Sequence, residues 1–264
     1  MRTPHLLMAA ALLAAVCTRP AAAQPEFAVE SAAPGNWSYA GPTGPAFWSN
    51  IAPGYPDCGS NYRQSPVNLP GLPPLVNFEV SYPVRAGTLS NSGHGVDLLI
   101  PALVDSGSLT VGGETFQFRE VHFHIPAEHT INGFRYEAEI HTVHQQGTGN
   151  RAVLTTFVTE GMPGTPNPAW STLVDSLPGN KGDRRGMGDV SLNTLLSLPS
   201  RGTERMYAYN GSLTTPPCTP NVRFFLRQAP IRLSRDQLNA LASAMVRNIR
   251  PLQDHTPAVA GPTP

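Results

Sequence analysis

The chain has 264 residues with 18 basic and 18 acidic side chains, so it carries no formal net charge and is long enough to bury a sizeable core. That balance excludes an electrostatic nucleic-acid or membrane-surface binder as the default reading. Gly (24) and Pro (28) make up roughly a fifth of the residues, which demands many turns and excludes long uninterrupted helices.

The N-terminal stretch reads as an export leader. Arg2 precedes the apolar run Leu6 to Cys17, too short to span a bilayer, and Ala21-Ala22-Ala23 offers a small-residue cleavage site. Residues 1–23 are therefore set aside as a signal peptide, and the mature chain begins at Gln24 with a net charge of about −2. Val16 stands where a lipid-attachment cysteine at Cys17 would need a small residue. Two cysteines then remain, Cys58 and Cys218, and an even count in an exported, oxidising setting (periplasmic or secreted) favours a disulfide over two buried thiols.

Residues 24–34 and 254–264 read as Pro- and Ala-rich flexible ends around a single domain over 35–253. Within it, alternating or β-branched patterns predict strands at 78–80, 96–100, 108–111, 115–124, 136–144, 152–158 and 222–227. Turn signals lie between them at Ser92-Gly93-His94-Gly95, Gly112-Gly113 and Asn132-Gly133. A short helix is predicted from Asn167-Pro168, with Trp170, Leu173, Val174 and Leu177 facing the core. Another is predicted over 235–248, where Ser234 caps, Gln237 completes a capping box, and Leu238, Leu241, Met245 and Ile249 form the apolar stripe. The fold class is mostly β (α+β) with peripheral helices. Lys181 is the only lysine beside 17 arginines, a bias that composition does not explain.

Five of the eight histidines fall between His122 and His144. On a strand the period of two puts Glu120, His122 and His124 on one face, and on the next strand Glu139, His141 and Val143. The Asn132-Gly133 turn lets the second strand fold back on the first, so that three imidazoles converge. Three neutral nitrogens are a set that Zn2+ accepts while keeping a fourth position for water. The bland alternative is a hydrogen-bonded His-x-His pair without metal. Glu139 and Glu120 each precede a histidine by two residues on its face, the relation needed to accept the far ring N–H and fix its tautomer. His129 and His144 fall on other faces and read as core histidines. A cupin metal motif, with Glu128 as a direct ligand, would need a glycine where Phe116 stands.

The segment VHFHIPAEHTINGFRYEAEIHTVH resembles the zinc-binding core of the α-class carbonic anhydrases. In family order follow or precede it Trp37-Ser38-Tyr39, Gly44-Pro45 with Trp48, Gln64-Ser65-Pro66-Val67-Asn68, Ser92-Gly93-His94, the run from Gly211 to Cys218, and Asn248-Ile249-Arg250-Pro251. The resemblance implies one large, twisted, mainly antiparallel sheet with short peripheral helices. It also implies reversible hydration of carbon dioxide to bicarbonate and a proton, a small-molecule chemistry with no nucleic-acid partner and no membrane span. By that resemblance His122, His124 and His141 would hold zinc, while Thr214 would orient the nucleophile and donate to Glu128. Val143, Val153 and Leu213 would line an apolar pocket for carbon dioxide, bordered by Thr215. His94 would shuttle the proton that each turnover releases, as an imidazole titrating near neutrality can.

Departures from the family pattern are Glu120 for a glutamine, Phe224 for a tryptophan on the apolar wall, Asp97 for an amide near His94, and Asp254-His255 for a proline after Gln253. The competing readings are a family member that acts as a binding module, which would lack zinc histidines, and a serine hydrolase, for which no Gly-x-Ser-x-Gly elbow exists.

Overall fold

The structure is a computed structural model that describes residues 36–101 and 107–254. The predicted leader, both predicted flexible ends and His255 lie outside the described residues, except Asp254. Thirteen strands are present among those described: β1 (Asn68–Leu69), β2 (Leu75–Ser81), β3 (Arg85–Asn91), β4 (Val96–Leu99), β5 (Ser108–Val111), β6 (Glu114–His124), β7 (Thr130–Ile131), β8 (Ala138–Gln146), β9 (Asn150–Glu160), β10 (Arg184–Val190), β11 (Arg201–Ser212), β12 (Pro220–Arg227) and β13 (Ile231–Leu233). Eleven of them build one sheet in the order β10-β3-β4-β6-β5-β2-β11-β12-β9-β13, with β8 lying between β6 and β9. Pairing is antiparallel except that β9 runs parallel to β12 and β13. Four short α-helices lie around it: α1 (Trp48–Ile51), α2 (Ser171–Asp175), α3 (Leu192–Leu195) and α4 (Arg235–Ala244).

Each face of the sheet buries its own apolar set. Phe116, Val121, Ile140, Leu154 and Phe225 join the main core with Trp170 and the α4 residues Leu238 and Leu241. Val143, Val153, Phe157, Tyr209, Leu213 and Phe224 form a second cluster on the other face. Alternation along β8, β9 and β12 supplies both sets at once.

The alternation reverses within β6. Its pairing with β8 shifts between Phe118 and Glu120, a bulge at Arg119. Even-numbered Phe116 and Phe118 therefore face the main core, and beyond the bulge odd-numbered Val121 and Phe123 do so. Glu120, His122 and His124 are thereby turned to the opposite face. The hairpin from β6 to β8 passes through Asn132 (φ 50°) and Gly133 (φ 79°), both left-handed as a type I′ turn requires.

Several sequence expectations are corrected. Helix α4 keeps its Ser234–Gln237 capping box but ends at Ala244, not at 248. Met245 and Ile249 are buried beyond it, on a non-helical segment. Asn248 pulls that segment away from helix: its side-chain amide donates to the Phe123 carbonyl and accepts from the Ile125 N–H. Strand β8 runs 138–146 instead of 136–144, and β4 stops at Leu99. Strands β1, β3, β7, β10, β11 and β13 have no counterpart among the expected strands; β10 is an edge strand, largely exposed, so no apolar alternation marks it.

Candidate active site

The β6–β8 register sets His122 directly opposite His141 and His124 opposite Glu139. His122, His124 and His141 are buried, and one nitrogen of each lies within 4.8 Å of the others. The far nitrogen of every ring has an oxygen partner. His124 Nδ1 lies 2.8 Å from the Asn248 carbonyl, His141 Nε2 lies 2.6 Å from Glu139 Oε1, and His122 Nδ1 lies 3.3 Å from Glu120 Oε1. Carbonyls and carboxylates accept, so His124 Nδ1 and His141 Nε2 carry the protons; the wider ion-pair contact of His122 Nδ1 with Glu120 favours the same arrangement, with lone pairs on His122 Nε2, His124 Nε2 and His141 Nδ1.

His141 Nδ1 and His122 Nε2 stand 3.2 Å apart with no proton between them in that tautomer set. Two lone pairs at such a distance repel unless a cation lies between them. Nitrogens each 2.0–2.1 Å from a tetrahedral ion are separated by about 3.3 Å, so the donor set fits zinc.

Protonation states agree with ligation. Burial first, then the neighbouring imidazoles His141 and His122, hold His124 well below its ordinary pKa, and burial brings His141 down to about 4. Burial works to raise Glu139, yet the His129 and His141 rings around it keep its carboxyl well below the usual range. His124 and His141 are thus neutral and the Glu139 carboxylate charged near pH 7, as ligand and orienter must be.

A directed hydrogen-bond chain extends from Glu139. The Ser212 N–H donates to Ser65 Oγ (3.1 Å), Ser65 pairs with the Tyr209 hydroxyl (2.7 Å), and that hydroxyl reaches His129 Nε2 (2.6 Å). His129 Nδ1 then donates to Glu139 Oε1 (2.6 Å). His129 is a core histidine as expected, and it also braces the carboxylate that orients His141. The further triad of His129, Glu139 and His141 is already satisfied by this chain.

Glu128 is fully buried, with Oε1 accepting from the Arg250 N–H (2.9 Å) and Oε2 lying 3.5 Å from His124 Nε2. Burial, with repulsion from Glu139, pushes its pKa up to about 8; the Thr214 hydroxyl, near it but outside ideal hydrogen-bond geometry, opposes that rise. Arg250 is buried and fixes this corner through Gln64 Oε1 (2.8 Å), the Ser65 carbonyl (2.8 Å) and the Cys58 carbonyl (2.9 Å). Cys58 and Cys218 form a disulfide that ties it to the loop after Thr215.

Val143, Val153, Leu213 and Phe224 come together in the second apolar cluster. Phe224 stacks on Tyr209 (centroids 5.1 Å apart) and meets the His141 ring edge-on at 5.8 Å. A cavity bordered by Trp37, His94, Asp97, His122, His124 and Thr215 joins His94 to the histidine cluster. The His94 ring stacks on Trp37 at 3.8 Å; burial, and then the charge of Lys181, lower its pKa from 6.5.

Of the residues expected at the site, His94, His122, His124 and Thr215 line one cavity, His141 joins the histidine cluster, and Val143, Val153, Leu213 and Phe224 share one apolar cluster. Asn248, Arg250, His129, Tyr209 and Ser65 build that site without having been singled out for it. Only their presence in ordered motifs marked some of them, because hydrogen-bond partners across 80 to 186 residues of sequence leave no periodic signal.

Fold and site together define a β-sheet protein with a buried three-histidine cluster able to hold a metal. A profile of the eukaryotic-type carbonic anhydrase family matches residues 43–256. A carbonic anhydrase of Nostoc sp. is 30% identical over 227 residues, covering 83% of this chain and 82% of that protein. Dioscorin DB3L of Dioscorea polystachya is 30% identical over 221 residues, covering 80% and 79%. The α-carbonic anhydrase of Thermovibrio ammonificans, solved with the inhibitor sulfanilamide, superposes with a TM-score of 0.74 at 32% identity, covering 83% of this chain and 96% of that one. The chain belongs to the α-class carbonic anhydrase family and is a carbonic anhydrase enzyme by that membership.

Proposed function

We propose that the chain holds one zinc ion through His122 Nε2, His124 Nε2 and His141 Nδ1 and catalyses the reversible hydration of carbon dioxide to bicarbonate and a proton. The observation that carries this reading is the convergence of three buried imidazoles, each with an oxygen beside its far nitrogen. Zinc in a three-histidine site would supply Lewis acidity that brings the pKa of bound water to about 7.

The protein's own groups supply the rest. Thr214 would aim the attacking oxygen by accepting its hydrogen bond while turning its own hydroxyl toward Glu128, which the Arg250 N–H holds in place. Val143, Val153, Leu213 and Phe224, bordered by Thr215, offer an apolar wall to a substrate with no charge to grip. His94 carries the released proton outward along the cavity. Glu139 and Glu120 orient His141 and His122. The Cys58–Cys218 disulfide and the leader-like residues 1–23 support an exported protein, periplasmic or secreted, with its catalytic domain over 35–253.

Stopped-flow measurement of carbon dioxide hydration, with and without chelator, tests the reading. His141→Ala is expected to lose stoichiometric zinc and activity together; a variant retaining both at wild-type levels overturns it. Dioscorin's membership shows that relatives carry other names, but the intact three-histidine set favours the enzyme over a binding module.

A further inference from the structure

Beside the catalytic cavity lies another cleft, of about 400 Å³, which shares Tyr39 with it. Arg135 and Arg247 line it, and no acidic side chain does. Both guanidiniums line this one cleft; burial lowers the pKa of Arg135 first, Glu139 and Glu128 raise it, and the charge of Arg247 lowers it. Arg135 is anchored: its Nη1 donates to the carbonyls of Ala127 and Glu128, which leaves Nε and Nη2 for another acceptor. Arg247 is exposed and makes no hydrogen bond or ion pair among the described residues.

The backbone that carries Arg247 alternates between two roles. Arg247, Ile249 and Pro251 line the cleft. Asn248 and Arg250, between them, hold His124 and Glu128. Two like charges lining one cleft cost Coulomb energy; Glu139 and Glu128 act on Arg135 from outside the lining, while no carboxylate lines the cleft beside Arg247. A guanidinium presents a planar fork matched to a planar oxyanion, and a carboxylate or bicarbonate bridging both arginines would cancel that repulsion.

We propose that the Arg135–Arg247 cleft is an anion site, distinct from the histidine centre, that takes a small planar oxyanion of the carboxylate or bicarbonate type. It lies next to a centre whose product is itself such an anion. The proposal rests on the two arginines and stands whether or not the zinc reading holds.

Calorimetric titration of the folded full chain in low-salt buffer tests it, with acetate and bicarbonate as separate probes, on zinc-loaded and zinc-stripped protein. Binding that persists after stripping, and that Arg247→Ala weakens about tenfold, as loss of a charged hydrogen-bond partner does, supports the site. Arg247→Glu is expected to abolish it, and Arg201→Ala, which removes an exposed arginine paired with Glu79, to leave it unchanged. Binding of both probes indicates a general carboxylate site and binding of bicarbonate alone a product site. Binding that disappears with zinc, that survives Arg247→Glu, or that is absent for both probes overturns the proposal. Circular dichroism of the Arg247 variants separates lost binding from lost fold.

Discussion

Glu120 is a carboxylate where the resemblance to the family leads to the expectation of a glutamine. Its Oε1 lies 3.3 Å from His122 Nδ1, the partner position expected from strand periodicity. A carboxylate accepts more strongly than an amide and adds negative charge, so it pushes electron density through the ring toward a bound metal. Glu120→Gln is expected to lower the pKa that governs kcat/KM for hydration and to speed zinc loss to chelator. Pairing of Glu120 with an arginine would cancel its charge, and an unchanged or raised pKa would favour that alternative.

Lys181, the sole lysine, gains a place only in three dimensions. Its aliphatic stem packs so closely on Gly93 that a Cβ there would meet Lys181 Cδ at 2.6 Å. The Gly182 N–H donates to the Asn91 carbonyl (2.7 Å), which pins that turn to the His94 loop. Burial lowers the His94 pKa and the Lys181 charge adds to it. Lys181→Gln is therefore expected to raise the His94 pKa and move the rise of kcat with pH toward alkaline values, leaving kcat/KM unmoved. A kcat profile identical to wild type would remove Lys181 from this role.

At the scale of elements, β8 shows how one strand serves both sheet faces. His141 points to the site, whereas His144 lies in the interior with Nε2 2.7 Å from the Tyr82 hydroxyl. Burial lowers its pKa from 6.5 to about 3. The unfolded chain takes up a proton near pH 6.5 that the folded chain refuses until about pH 3. Stability from this group is therefore complete above pH 6.5 and falls as pH drops from there, by up to about 1.4 kcal/mol per pH unit. Urea midpoints between pH 7.5 and 5 should show this fall, and His144→Gln should flatten it by about one proton.

The β6 strand carries a lesson about periodicity. A uniform period of two across 115–124 would have set Phe116 and Phe118 on the same face as the histidines. The bulge at Arg119 reverses the alternation, so aromatic and metal-binding residues of equal parity face opposite ways. The grouping of Glu120, His122 and His124 was legible because it lies wholly beyond the bulge. The end of α4 was not, because Asn248 bonds to residues 123–125, over 120 residues away in sequence.

At the scale of the whole molecule, the Cys58–Cys218 bridge closes a loop of 160 residues. It ties the segment carrying Trp48 and Tyr55, which pack with both cysteines, to the loop that presents Thr214 and Thr215. On the chain-entropy model such a closure stabilises by about 5 kcal/mol, an upper figure. Cys58→Ser with Cys218→Ser should lower the thermal midpoint by many degrees. Thiol titration of the denatured, unreduced wild type should find neither cysteine free, and two free thiols would refute the bridge in the isolated protein.

The sequence by itself determined the local features: turn residues tolerant of positive φ at Asn132-Gly133, the capping box of α4, and two strands whose period of two aligns histidines and carboxylates. These depend on neighbours within a few residues, which is the range over which pattern and propensity act. Tertiary structure decided the tautomer of His124, whose oxygen partner comes from Asn248, and the bracing of Glu139, the partner of His141 legible in the sequence, by His129 and Tyr209. It likewise decided the placement of Lys181 on the His94 loop and of two arginines in one cleft. Such pairings join residues far apart in sequence, where burial and hydrogen-bond satisfaction in the folded sheet, not local periodicity, select the partner.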